Sequence, residues 1–281
     1  MLFQEKNASQ SLKRYGSWAL VTGASSGIGL AMAQRLCSDG LNCIIVSDEK
    51  EPLSAAALEL SSTYGTEVIP CVCDLSGPNH LAGISKCVAN REIDILVNCA
   101  SFGTLGHFLD SPLSVYQAGV GVSVQSYLTL TYRFLRGMVE RDRGAVIFVC
   151  SVNAFAPVAF SAVYTAEKAF ELYLGQALWQ ELRYARSKVD FLTLCASSTK
   201  TNFQARAKTR VAKWAWTPEK AVETGLRKLG KAPVVALSWR GNVYRYAGKL
   251  LPERLRLRFA SWAITANLAK DRKVFLKRRL P

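Results

Sequence analysis

Two stretches of this chain share one outline, Tyr-x-x-x-Lys: YTAEK at 164–168 and YARSK at 184–188. Four residues is a little over one helical turn, so on a helix each pair would share a face. A free phenol titrates near 10 and exchanges protons poorly at neutral pH. An ammonium within about 4–6 Å favours the phenolate and typically moves a pKa by about 1–3 units. Such a pair can deliver a proton to a carbonyl or take one from an alcohol. With 10 Tyr and 16 Lys in 281 residues, two such spacings carry little weight alone. A Tyr and a Lys on one face are also the ordinary make-up of a helix edge, with an apolar body and a wet tip. The surroundings have to separate the two.

Those surroundings alternate short apolar runs with longer segments of helical period. The runs are WALVT (18–22), NCIIVS (42–47), EVIPCVC (67–73), IDILVN (93–98), GAVIFVC (144–150), VDFLTLC (189–195) and PVVAL (233–237). Helices are expected at about 27–39, 51–64, 78–90, 111–141, 161–186 and 218–230. Continuous apolar strands between helices predict an α/β, Rossmann-like doubly wound parallel sheet of about seven strands, covered on both faces. Ligands of such sheets bind beyond the carboxyl ends of the strands. There the first run enters TGASSGIG, Thr22 to Gly29, followed by an amphipathic segment. Glycines 23, 27 and 29 allow a tight turn and close approach of backbone to a pyrophosphate at the helix N-terminus, which predicts dinucleotide binding. Asp74, in CDLS, can accept from an adenine amino group or cap the next helix. Asn98, ending DILVN, has an amide able to tie neighbouring strands together.

With these elements in this order, residues 15–260 resemble the short-chain dehydrogenase/reductase superfamily. TGASSGIG is similar to that family's glycine turn, CDLS to its adenine-contacting acidic turn, and NCAS (98–101) to its NNAG. The nearest likeness is to the subgroup of hydroxysteroid, 3-ketoacyl and ketosphinganine reductases. In this family a Ser at the end of the fifth strand stands thirteen residues before the active Tyr. Thirteen before Tyr164 is Ser151, directly after GAVIFVC; thirteen before Tyr184 is Glu171, inside a helical segment. The resemblance therefore implies catalysis by Ser151, Tyr164 and Lys168, with Tyr184–Lys188 a surface coincidence. Lys168 would also hold the nicotinamide ribose and Ser151 the substrate oxygen. The implied cofactor shell is Thr22, Gly23, Ser25, Ser26, Gly27, Ile28, Gly29, Asp48, Asp74, Leu75, Asn98, Ala100, Tyr164, Lys168, Thr199 and Thr201. Three positions depart from the family. Ser123 stands where an Asn often orders a proton-relay water, Ala196-Ser197 where Pro-Gly is usual, and Ser101 where NNAG ends in Gly.

Asp48 lies nineteen residues after Gly29, where a carboxylate would bind a free ribose 2′-hydroxyl and repel a 2′-phosphate. With Glu49 beside it and no cation nearby, it favours NAD over NADP, although Ser47 occupies the slot in which many NAD users carry Asp. The segment 201–217 is expected to form a lid. Its Phe203, Val211, Trp214 and Trp216 offer an apolar wall to substrate, and Arg206, Lys208, Arg210 and Lys213 can meet an acidic headgroup or an acyl carrier. Three parts follow: an N-terminal tail (1–14), the Rossmann-type domain (15–249) and a basic amphipathic tail (250–281).

Charge is uneven. The net +15 comes from the last third, with 24 Lys/Arg against 5 Asp/Glu from Arg183 onward; the first 182 residues carry 12 against 16. No nucleic-acid reading module is visible. The tail repeats Leu251, Leu255, Phe259, Trp262 and Ala266 at helical steps, among nine cations and only Glu253 and Asp271. That pattern fits an anionic membrane surface. The 8 Cys show no framework and, with 2 His, predict reduced thiols and no zinc site. No signal core or membrane-spanning run of roughly 18–20 residues appears. The expectation is a cytoplasmic, non-secreted protein, peripheral on membrane through its tail and, by the resemblance, a homo-oligomer. It would be an NAD(P)-dependent oxidoreductase interconverting a ketone and a secondary alcohol on a hydrophobic or lipid-like substrate. The competing reading is a weak or retired member of the family serving as a nucleotide-binding scaffold.

Overall fold

A computed structural model describes residues 11–201, 214–246 and 250–265. Seven parallel strands form one sheet in the order β3-β2-β1-β4-β5-β6-β7: β1 Trp18–Thr22, β2 Asn42–Ser47, β3 Val68–Val72, β4 Ile95–Asn98, β5 Ala145–Ser151, β6 Asp190–Ala196 and β7 Val234–Ala236. The order reverses between β1 and β4, the switch point at which such sheets bind ligands. The expected α/β doubly wound architecture is what the chain adopts. Its five central strands are almost wholly buried, as uninterrupted Val/Ile/Leu runs require when helices cover both faces. The outer strands differ: β3 carries Pro70 and β7 has three residues.

Helices α1 (Gly27–Ser38), α2 (Lys50–Tyr64) and α7 (Pro218–Leu226) lie on one face, where Leu36, Leu53, Val222 and Leu226 join Val21, Ile45 and Ile147 in one core cluster. On the other face α3 (His80–Val88), α5 (Ser126–Glu140) and α6 (Ala162–Tyr184) pack through Ile84, Tyr127, Phe134 and Leu182 on Leu20, Leu96 and Phe191. All eight cysteines are free thiols.

One expectation needs correction. The single helix foreseen at 111–141 is interrupted: α4 (Leu113–Val120) enters a π-helical turn, Gly121–Gln125, before α5 begins. Gly121 sits against the loop after β3, where a Cβ would come 2.5 Å from the Ser76 carbonyl oxygen. The extra residue in that turn aims Ser123 inward, fully buried. The last residues of the expected N-terminal tail lead into a short helical turn, Leu12–Tyr15. Leu12 and Tyr15 are buried in the core, the Leu12 amide donates to Asp39, and the Tyr15 hydroxyl donates to Asp190 at 2.6 Å.

The 23-residue helix α6 approaches β6 closely through Gly175. A Cβ there would lie 2.2 Å from Thr193 Oγ1 and 3.2 Å from the Phe191 ring. Glycine inside a helix costs about 1 kcal/mol relative to alanine, so contact with the sheet explains its presence. Gly175→Val is expected to destabilise the chain by about 1–3 kcal/mol, measured by urea unfolding; unchanged stability would show that α6 tolerates a wider spacing.

Candidate active site

The chain between β1 and α1 folds back on itself. Gly23 has φ +65°, and a Cβ on it would stand 2.8 Å from Ala100 Cα. At Gly29 a Cβ would meet the Gly23 carbonyl oxygen at 2.2 Å. Thr22 Oγ1 accepts from the amides of Cys99 (2.9 Å) and Ala100 (3.1 Å), fastening the end of β4 to the turn. Ser26, at the N-cap of α1, makes no capping bond with its side chain, so no such bond competes for the first-turn N–H groups that, with the helix dipole, attract an anion. Ile28 packs against the adjoining core, and Thr201 lies against Gly27, where a Cβ would be 3.0 Å from Thr201 Cγ2. A backbone cradle without room for side chains, at a helix N-terminus, fits a pyrophosphate.

At the neighbouring edge Ser25 Oγ donates to Glu49 Oε2 (2.8 Å), and Ser47 Oγ lies 3.1 Å from Ser25 Oγ and 3.3 Å from Asp48 Oδ1. Glu49 rather than Asp48 therefore joins the second strand to the glycine turn. Asp74 is exposed and closes a local turn, accepting from the Ser76 amide (2.8 Å) and hydroxyl (2.9 Å). It does not cap α3, whose N-cap is Asn79; Leu75 beside it is buried. Asn98 does not tie strand to strand. Its amide turns to the helical face and donates to Thr131 Oγ1 of α5 at 3.2 Å.

Ser151 closes β5, and Tyr164 and Lys168 lie on the first turns of α6. The fold brings the three together: the Ser151 and Tyr164 hydroxyls are hydrogen-bonded, and Lys168 Nζ lies 5.6 Å from the Tyr164 ring centre. Ser151 Oγ also accepts from the Asn153 amide, which fixes its rotamer. Burial pushes the Tyr164 phenol up, opposed by Lys168 and the Ser151 bond. Lys168 is buried, and its Nζ meets Glu171 Oε1 at 2.6 Å. Burial disfavours that ammonium, but the charges of Glu171 and Tyr164 outweigh it and hold its pKa above the ordinary lysine value. Burial likewise pushes Glu167 and Glu171 up to about 7, against the pull of Lys168. Ser123 hydrogen-bonds Glu167 and lies 3.5 Å from Ser101 Oγ.

The second Tyr-x-x-x-Lys is elsewhere. Tyr184 ends α6 with 81% of its surface exposed, and Lys188 pairs at the surface with Asp142 at 3.1 Å. Past β6, Thr199 is buried, donates to the Ser197 carbonyl and is bridged to Trp216. Trp216 packs on the cluster of Leu194, Ala221 and Leu237, so it anchors the end of the segment, while Trp214 is 45% exposed. Phe203 and most of the expected lid lie outside the described residues.

A family model for short chain dehydrogenase matches residues 17–212. The chain belongs to the short-chain dehydrogenase family. Among relatives of this short-chain dehydrogenase, the mouse "inactive hydroxysteroid dehydrogenase-like protein 1" is 30% identical over 92% of this chain and 77% of its own. A 7beta-hydroxysteroid dehydrogenase from Mediterraneibacter gnavus is 29% identical over 78% and 85%. A solved structure from work on 7beta-hydroxysteroid dehydrogenase stereoselectivity superposes with TM-score 0.82 at 27% identity, covering 88% of this chain and 98% of that one. A short-chain dehydrogenase from Sphingobium yanoikuyae, solved with NADPH, gives 0.75 at 26% identity, over 83% and 92%. The hydroxysteroid-like subgroup expected from the sequence is thus the one in which this short-chain dehydrogenase falls.

Sequence reasoning missed Glu167 and Glu171, and took Glu49 only as a neighbour of Asp48 rather than as the partner of Ser25. Glu49 was legible as a second carboxylate after β2. The Lys168-x-x-Glu171 spacing puts both on one helical face, but nothing in it announced that the face is buried.

Proposed function

We propose that this chain interconverts a ketone and a secondary alcohol on a hydrophobic, lipid-like substrate with NAD(P) as hydride carrier. The observation that carries the reading is the convergence of Ser151, Tyr164 and Lys168 at the same carboxyl edge of the sheet as the glycine turn. A bound nicotinamide would supply or receive the hydride. Ser151 holds the carbonyl oxygen, Tyr164 Oη gives it the proton in reduction or takes it in oxidation, and Lys168 sets how tightly that proton is held. The glycine turn, Thr199 and Thr201 would seat the phosphates and nicotinamide, Asp74, Leu75 and Ala100 would frame the adenosine, and buried Asn98 would act from behind by holding α5. The hydroxysteroid names of the relatives support a bulky apolar substrate, for which Trp214 and Phe203 would supply wall. The test is a panel of steroid, long-chain 3-ketoacyl and aryl ketones with NADH and NADPH, followed by loss of dihydronicotinamide absorbance. Cofactor binding without turnover across the panel would favour the scaffold reading, which the mouse relative's name also favours.

NAD is preferred over NADP in this reading, because Asp48 and Glu49 meet the position of a 2′-phosphate with negative charge. NADH is expected to bind several-fold tighter than NADPH, and Glu49→Arg to reduce or invert the ratio, both read by cofactor fluorescence. A tenfold preference of the unmodified chain for NADPH would overturn the assignment.

The C-terminal helix α8 (Glu253–Thr265) buries Ala260 against Ala156 and Val158, and Ser261 Oγ accepts from the Ala159 amide. Leu251, Leu255, Phe259 and Trp262 are 42–63% exposed, beside Arg254, Arg256 and Arg258. An uncovered apolar stripe among cations suits the surface of an anionic membrane, where each cation contributes about 1 kcal/mol. No helix among the described residues is long and apolar enough to cross one. In this reading the protein is a cytoplasmic homo-oligomer, peripheral on membrane. Full-length chain is expected to sediment with anionic vesicles at low salt, not with neutral ones, and a version ending near Pro252 with neither. Equal, negligible binding of both versions would exclude the membrane.

A further inference from the structure

Glu171 has no part in the reaction scheme above, yet it is the closest charged partner of the lysine on which that scheme depends. It lies one turn beyond Lys168 on α6, Oε1 2.6 Å from Nζ, with none of its surface exposed. Removing a carboxylate from water costs several kcal/mol, and an ion pair in the interior often does no better than apolar side chains of equal volume. The remaining oxygen, Oε2, has no hydrogen-bond partner among the described residues. A position serving only to pack α6 on the sheet would be filled more stably by leucine or methionine.

The groups facing Glu171 define what it can act on. They are Tyr164, Lys168 and Glu167 on its own helix, the Cys150 thiol on β5, Tyr127 on α5 and Cys99 after β4. Lys168 is the one cation in this set. Its ammonium lies 5.6 and 5.7 Å from the centres of the Tyr164 and Tyr127 rings, and 2.6 Å from the Glu171 carboxylate.

We propose that Glu171 is a positioning residue: paired with Lys168, it offsets the ammonium beside Tyr164 and keeps the phenol protonated, so that the site gives a proton to a carbonyl more readily than it takes one from an alcohol. This rests on Tyr164 being the acid–base group. Written for reduction, the O–H bond of Tyr164 breaks as a new O–H bond forms on the substrate oxygen, while the carbonyl carbon would take the hydride that a bound dihydronicotinamide supplies. The electron pair of the broken O–H bond stays on the phenolate, which must then regain a proton. The directions of titration agree. Glu171 raises Tyr164 while Lys168 lowers it, and Glu171 itself is pushed up to about 7, chiefly by burial. Above that pH its charge opposes Lys168; below it, the neutral carboxyl leaves the ammonium acting fully on the phenol.

The test needs neither substrate nor cofactor. Tyrosinate absorbance is followed against pH for the unmodified chain, Glu171→Gln and Glu171→Asp, each with and without Tyr164→Phe, and the paired difference isolates Tyr164. In Glu171→Gln the Tyr164 step is expected roughly one pH unit or more lower than in the unmodified chain, whereas Glu171→Asp, which keeps the charge, restores most of the original value. A Tyr164 step at the same pH in the unmodified chain and in Glu171→Gln would overturn the proposal. So would an equal fall in Glu171→Asp, which would assign the effect to packing. If Glu171→Gln fails to fold, Glu171→Met replaces it with the same expectations. Retention of turnover by Tyr164→Phe would instead remove the acid–base reading, a result the titration cannot mimic.

Discussion

Tyr164→Phe is expected to lower kcat/KM by about 10²–10⁴-fold for any ketone the unmodified chain reduces, and to leave cofactor affinity within about twofold. The substitution takes away one oxygen. With it go the proton that must reach the substrate and the hydrogen bond to Ser151. The ring remains, and with it the packing of α6. The same change at Tyr184, 81% exposed at the far end of the helix, is expected to leave turnover unchanged. A dead Tyr184→Phe and a live Tyr164→Phe would reverse the assignment.

Gly29→Ala is expected to weaken NADH and NADPH binding by about two orders of magnitude, or about 3 kcal/mol, with little loss of secondary structure. The added methyl would stand 2.2 Å from the Gly23 carbonyl oxygen and 3.2 Å from Ala24 Cα. Neither neighbour is the end of a flexible side chain. The turn itself has to open, and with it the array of N–H groups aimed at the phosphates. Gly77→Ala serves as the control, since a Cβ there meets nothing within 4 Å. Fluorescence titration and circular dichroism on both variants decide the matter; cofactor binding unaffected by Gly29→Ala would show that the turn does not hold the pyrophosphate.

The parts of this molecule legible in its sequence are those set by local pattern. Buried parallel strands need unbroken apolar runs, and all seven runs became strands within one or two residues of their expected ends. Ser151 and Tyr164 could be paired because a strand end and a helix start have few ways to be joined. What stayed hidden depends on tertiary surroundings. Glu167 and Glu171 look like solvated helix residues, and only the packing of α6 against β5 and the π-helical turn reveals that water is excluded there. That turn arises where Gly121 meets the Ser76 backbone, far off in sequence, so the helical period of 111–141 could not announce it. Leu12 read as tail because its partner, Asp39, is distant along the chain.

The two outer strands have a bearing on how this protein behaves in a crowded solution. An open sheet edge is a template on which another chain can add strands, the first step toward aggregation. Here β3 presents Pro70, a residue with no N–H to offer an incoming strand, and β7 is only three residues long. Among the described residues both edges of the sheet are therefore blunted, and neither offers a long ladder along which copies of this chain could zip together.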